Sequence, residues 1–201
     1  MTATTSSRLA EIHDAALVLF TRHGYEATTM ADIGAEVGIR GPSLYKHVAS
    51  KQHLLVSIMT GTMDALLAAF ATAVSTTSDP VERLRRATDA HVRFHARHRL
   101  EAFVGNREIR SLVEPHRSEV LARRAQYERG FRCLITDGVA AGLFSVASPR
   151  LASYAILDLG MGVANWYRAD GEHSENEVAW QYTEFALRMV AARVPHEGTS
   201  G

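Results

Sequence analysis

The chain has 201 residues, 46% hydrophobic and 22% charged, the composition of an ordinary globular protein with enough length to bury a real core. Its 22 basic residues balance its 22 acidic ones, so bulk charge does not advertise a nucleic-acid partner. A single cysteine excludes an internal disulfide and a cysteine-rich metal site. No run approaches the roughly 18 consecutive apolar residues of a bilayer-spanning helix, and the polar start, Met1 to Ser7, has no basic-then-apolar leader pattern. The expectation is a cytoplasmic protein with no membrane partner.

Helical periodicity runs through nearly the whole chain, and no strand-like alternation is sustained. From about Ser7, residues Leu9, Ile12, Ala16, Leu19 and Phe20 recur at three- and four-residue steps. Gly24 sits just past them, where a left-handed residue ends a helix cheaply. Thr29 with Asp32 predicts the N-cap of a short helix to Val37, closed by Gly38. A second short helix is expected from Gly41 or Pro42 to His47, and Ser50 is placed to cap a long one running through Leu66 and Phe70. Within it, Gly61 reads either as a pivot or as a residue packed against a neighbour.

Asp79 and Pro80 give a cap-plus-proline start to a helix reaching about His98. A shorter element spans Glu101 to Ser111, and Pro115 opens a long helix to about Ala141, closed by Gly142. Cys133 lies there in the apolar run FRCLI, which predicts a buried thiol. Ser148 and Pro149 start a helix to about Arg168. After a turn at Asp170 and Gly171, Ser174 and Glu177 form a capping box for a last helix ending near Arg193, before Pro195 and a frayed tail. The result is an all-α protein of about nine helices. A three-helix domain occupies 1–51 and a larger helical domain 52–201.

Within the first domain, two short helices joined by a tight glycine turn outline a helix-turn-helix, whose last helix enters the major groove of DNA. Only Lys46 and Lys51 are lysines, and both lie in this segment. Leu44 and Val48, four apart, are expected to face inward, which leaves Ser43, Tyr45, Lys46 and His47 facing the duplex. Thr29 and Lys51, at the starts of the flanking helices, suit phosphates.

Residues 12–55, and above all the segments GYEATTMADIG and SLYKHVASK, resemble the DNA-binding domain of the TetR family. The resemblance implies a homodimer that binds a near-palindromic operator in double-stranded DNA. It also implies phosphate contacts from Thr29, Tyr45, His47 and Lys51, with Arg40, Gly41, Pro42, Ser43 and Lys46 facing base edges. Arg40 departs from the family pattern, because a serine or threonine often caps the recognition helix at that position. Pro42 offsets part of the loss by fixing φ. Arg40 itself either reads guanine, contacts phosphate or stays solvated.

The last two helices resemble the family's dimerisation pair. Gly160, Gly162 and Ala164 allow close approach there, and Trp180, Phe185, Leu187 and Met189 supply bulk. Candidate lining for an effector pocket is Phe94, His95, His98, Phe103, Arg107, Tyr127, Phe131, Asn165 and Trp166, residues that serve equally well as ordinary core. His91, His95 and His98 share a helical face, but with no acidic or cysteine partner near in sequence no metal is expected, and no cofactor either.

DPVERL and the C-terminal stretch from Asp137 to Val190, including Trp166, Tyr167 and Arg168, resemble regulators of fatty-acid and sterol catabolism. This implies an acyl-CoA thioester as effector. Arg93, Arg97, Arg107, Arg110, Arg123 and Arg124 would then be available for its phosphates, or be paired with glutamates instead. A planar aromatic or drug-like effector is the alternative. No phosphate-cradling glycine loop, nucleophile elbow or zinc-protease signature is present, so an enzyme is not expected. A helical ligand-binding protein without DNA binding is the other alternative.

Overall fold

The computed structural model describes residues 2–192. Of residues 2–7, and of Gly41 and Pro42, only the backbone is described. Among the described residues there are nine α-helices, one 3-10 turn and no strand. They are α1 (Thr2–His23), α2 (Met30–Glu36), α3 (Gly41–Leu44), α4 (Lys51–Val74), α5 (Pro80–Arg97), α6 (Arg99–Glu108), α7 (His116–Ala140), α8 (Pro149–Trp166) and α9 (Glu175–Met189).

The caps sit where the polar residues placed them. Gly24 takes φ +84 and returns its N–H to the Phe20 carbonyl, while Gly38 and Gly142 take φ +69 and +70. Thr29 and Ser174 form full capping boxes with Asp32 and Glu177. Ser50 accepts from the His53 N–H, and Asp79 from the Glu82 N–H. Several ends differ from expectation: α1 begins at Thr2, α3 stops at Leu44 instead of His47, and α8 stops at Trp166. α9 stops at Met189, with Val190 as cap and Ala191 at φ 47. The frayed tail expected after Pro195 lies outside the described residues.

Two compact units make up the chain. One is Met1–Ala65 with His98–Arg123; the other is Leu66–Arg97 with Arg124–Gly201. The first thus takes α6 and the beginning of α7 along with the N-terminal helices. Its core joins Ile12, Ala16 and Phe20 of α1, Ile33 of α2, Leu44 and Val48, Leu54, Leu55 and Ile58 of α4, and Val104 of α6. Burying each of these side chains other than Ala16 is worth about 1.5–3 kcal/mol.

In the second unit, α5 packs on α8 and α9 through a stripe of Leu84, Thr88, His91, Val92 and His95. Phe131 and Ile135 of α7, Ile156 and Val163 of α8, and Ala179 and Leu187 of α9 are buried with it. Cys133 is exposed, contrary to expectation. Phe131, Leu134 and Ile135 define the inward phase of α7, and Cys133 falls on the opposite side despite its apolar neighbours.

Averaged over 18 residues, α4 reaches a mean hydropathy of 1.8, enough by length and composition to cross a membrane. A count of consecutive apolar residues misses this, because Ser57, Thr60, Thr62 and Asp64 interrupt a helix whose far end is rich in alanine.

Candidate nucleic-acid interface and effector site

The segment from Arg40 to Lys51 sorts its side chains by helical phase. Leu44 is fully buried and Val48 nearly so, whereas Tyr45 is 56% exposed and Lys46 and Arg40 are exposed too. Ser43 and His47 are half-buried. The regular helix ends at Leu44. The turn nevertheless continues, with Lys46 N–H donating to the Ser43 carbonyl and Val48 N–H to the Leu44 carbonyl. Arg40 occupies the N-cap with extended backbone and makes no side-chain cap. The burial of Gly41 and Pro42 lies outside what is described.

Thr29 and Lys51 already have internal work in the free protein. The Thr29 hydroxyl and N–H both donate to the Asp32 carboxylate, at 2.7 and 2.8 Å, and these bonds hold that carboxyl below its usual range. The Lys51 ammonium donates to the carbonyls of Tyr25, Glu26 and Thr28, at 2.8, 3.3 and 2.8 Å, and lies 4.3 Å from the centre of the Tyr25 ring. An ammonium has three donors, so the side chain is saturated by the α1–α2 turn. In the free protein the donors of both side chains, expected at phosphates, are engaged within the fold.

Of the candidate effector residues, four come together inside the second unit. Tyr127 and Phe131 are buried with ring centres 5.4 Å apart, and Phe94 and His95 are buried with ring centres 5.8 Å apart. The residue that joins them, His91, was singled out in the sequence only as a possible metal ligand. Its ring lies 4.5 Å from His95 and 5.7 Å from both Tyr127 and Phe131. Phe70 of α4 completes the cluster against Tyr127 and Phe131. Periodicity marks Phe70 and His91 as inward but cannot tell which inward faces meet.

The His91 nitrogens are both committed, and their roles follow from the partners. Nε2 lies 3.0 Å from the Leu157 carbonyl, which only accepts, so Nε2 carries the proton. Burial pushes the imidazole down to about 4, so the ring is neutral and Nδ1 accepts from the Tyr127 hydroxyl at 3.0 Å. Burial likewise pushes the Tyr127 phenol up.

The other candidates sit elsewhere. His98, Phe103 and Arg107 belong to the first unit, where Arg107 lies over the Phe103 ring and His98 pairs with Glu101. Asn165 and Trp166 are exposed near the end of α8, with Trp166 beside Tyr167 and Tyr182. Most of the arginines offered for phosphates hold carboxylates. Arg97 and Arg93 grip Glu175, and chiefly through Arg97 its carboxyl is held below the usual range. Arg93 also binds Asp89, Arg123 binds Asp64, and Arg107 lies 3.5 Å from Glu108.

An apolar surface remains on the last two helices. Leu151, Tyr154, Trp180, Phe185 and Met189 are exposed. A methyl group at Gly162 would meet open space, whereas Leu187 is buried and Gly160 packs inward on His91.

The family model "Bacterial regulatory proteins, tetR family" matches residues 12–58, and "Tetracyclin repressor-like, C-terminal domain" matches residues 77–190. The chain is 28% identical over 195 residues to the HTH-type transcriptional repressor KstR2 of Mycobacterium tuberculosis, covering 96% of each chain. The solved structure of that ketosteroid transcriptional regulator superposes with a TM-score of 0.86, at 27% identity, over 93% of this chain and 96% of that one. A tetR-family regulatory protein from Rhodococcus RHA1 is 32% identical, with a TM-score of 0.86 over 92% and 98% of the two chains. AibR, solved with isovaleryl coenzyme A and operator DNA, shares the fold at 24% identity and a TM-score of 0.81, over 92% of this chain and all of its own.

Proposed function

The chain belongs to the TetR family of bacterial regulatory proteins, and from that premise we propose that it represses transcription as a twofold homodimer on a near-palindromic operator, released by a small-molecule effector. One observation carries the proposal: buried Leu44 and Val48 seat a short segment whose Tyr45 and Lys46 point outward. Arg40, Gly41, Pro42, Ser43 and Lys46 then face base edges in the major groove, and Tyr45 and His47 contact phosphates. Thr29 and Lys51 act from behind by fixing the turns that flank the reading segment. Two copies of that segment must lie about 34 Å apart to meet successive major grooves. The exposed apolar residues of α8 and α9 support the pairing, since such a surface on a monomer needs cover.

The effector in this reading is an acyl-CoA thioester that favours a conformation with wrongly spaced reading segments. AibR's fold takes isovaleryl coenzyme A together with operator DNA, which supports the fit of such a ligand to this architecture. The pairing of Arg93, Arg97 and Arg123 with carboxylates favours a second reading. In it an aromatic effector is held by Phe94, Tyr127 and Phe131, and no phosphate has to be bound.

Fluorescence anisotropy with DNA from upstream of the chain's own gene tests both levels. Binding that weakens on Tyr45→Ala or Lys46→Ala, with unchanged folding, supports the repressor; equal binding by all three proteins counts against it. Release by acyl-CoAs but not by the free acids or aromatic compounds selects the first effector class. Release by aromatic compounds alone selects the second.

A further inference from the structure

Two stretches far from Tyr25 in the sequence converge on it in the turn between α1 and α2. From the start of α4, Lys51 takes the Tyr25 carbonyl. Its neighbour Gln52, with its amide assigned so that nitrogen faces the Ser111 carbonyl and oxygen the Val113 N–H, donates to the Tyr25 hydroxyl oxygen at 2.9 Å and to the Ser111 carbonyl at 3.2 Å. From the end of α6, Glu108 accepts the Tyr25 N–H at 3.3 Å. The ring of Tyr25 closes the junction against Phe20, with centres 5.3 Å apart. All of these residues lie in one compact unit.

Glu108 is the unusual member. Only 4% of it is exposed, and a buried carboxylate is costly unless its oxygens find donors. They find the Tyr25 N–H and the Ser111 hydroxyl, with Arg107 at 3.5 Å. Tyr25 follows Gly24, the left-handed residue that ends α1. At that position the N–H commonly returns to a carbonyl of the helix it has just left. Here it goes to a side chain 83 residues on. The α1–α2 turn is therefore tied to the end of α6 directly, as well as to α4.

We propose that Glu108 is a positioning residue for DNA reading. By holding the Tyr25 N–H, its carboxylate makes the α1–α2 turn follow the end of α6, so a shift of α6 moves α2 and the reading segment by a route that does not pass through α4. The inference rests on the proposed DNA-binding function. It gives Glu108 a role that core packing alone does not require, since an apolar residue of similar size would fill the same space.

The test uses the full chain with Glu108→Ala, Glu108→Gln and Ser111→Ala, which removes the other donor to the carboxylate but keeps the Tyr25 bond and is expected within about threefold of the wild type. Circular dichroism establishes folding, anisotropy on the upstream DNA reads affinity, and hydrogen exchange reads the amides of the turn. Glu108→Ala is expected to weaken DNA binding at least tenfold and to speed exchange over residues 25–28, leaving α5 and α9 as protected as before. Glu108→Gln, whose side-chain carbonyl still accepts from Tyr25, is expected within about threefold of the wild type. Binding by Glu108→Ala within twofold of the wild type overturns the proposal, and so does faster exchange spread equally through α5 and α9. Should Glu108→Ala not fold, Glu108→Asp, one carbon too short to reach Tyr25, carries the same two readings. If the wild type itself fails to bind DNA, the repressor function falls, and the exchange pattern still decides whether Glu108 anchors the turn.

Discussion

The imidazole of His91 occupies the space that a side chain at Gly160 would need. A Cβ built on Gly160 lies 2.3 Å from His91 Cδ2 and 2.7 Å from Nε2. The ring has nowhere to retreat, because the Leu157 carbonyl and the Tyr127 hydroxyl hold its two nitrogens. Gly160→Ala is therefore expected to lose about 1–3 kcal/mol, the usual cost of overpacking a filled core. Chemical denaturation reads this directly, and a midpoint equal to the wild type's would show that α5 and α8 part without strain.

The same histidine sets a pH dependence. Its folded value, about 4, lies below the unfolded 6.5, so between those values the unfolded chain binds a proton that the folded chain does not. Stability then rises with pH across that window and falls as the solution is acidified from 6.5 towards 4. For one group the loss comes to about 3 kcal/mol. His91→Gln removes this group, so its stability should change less than the wild type's between pH 6.5 and 4. Parallel pH profiles for the two proteins would refute the assignment of a buried neutral ring.

Lys51 discriminates between two roles. If it clamps the α1–α2 turn, Lys51→Met lowers stability by about 1–3 kcal/mol through its lost charged hydrogen bonds. The dependence of log affinity on log salt stays as it was. If instead the side chain neutralises a phosphate, the slope falls by about 1 and stability barely moves. The clamp is the expected outcome.

Gly61 and Gly162 are both helical glycines whose Cβ would meet open space. Alanine at Gly61 is expected to stabilise the chain by about 0.5–1 kcal/mol, and a loss on that substitution would show an unseen neighbour. Alanine at Gly162 is expected to do the same for the single chain. On the apolar face proposed to meet a second copy, however, it should also shift sedimentation towards monomer. An unchanged sedimentation profile would move the interface off that part of α8.

Arg40 holds an N-cap backbone without an N-cap side chain. Arg40→Ser is expected to stabilise the reading segment by about 1 kcal/mol and to relax discrimination at one operator base pair. Retained discrimination across a set of single-base operator variants would leave Arg40 a solvated or phosphate-contacting residue.

The N-terminal half was legible because its signals are local. Thr29 and Asp32 cap each other three residues apart, and Leu44 and Val48 sit one helical turn apart, so spacing alone determines which way they point. The Tyr25–Glu108 bond was invisible for the opposite reason: nothing near residue 25 announces a carboxylate from α6. The candidate effector residues fall between these cases. Tyr127 and Phe131 were found together by their four-residue step, while His91 was read only against its own helix. Its real partners, Tyr127 and the Leu157 carbonyl, come from α7 and α8. Cys133 failed for want of phase, and of the two readings of Gly61 the packed one fell because no neighbour faces it, since a helix interior says little about which flank a small residue takes.

The outward thiol of Cys133 has a practical corollary. As the chain's sole sulfhydryl, it accepts one maleimide dye per polypeptide without any mutation. Fluorescence depolarisation between identical dyes would then report self-association on the native sequence, in the presence or absence of DNA.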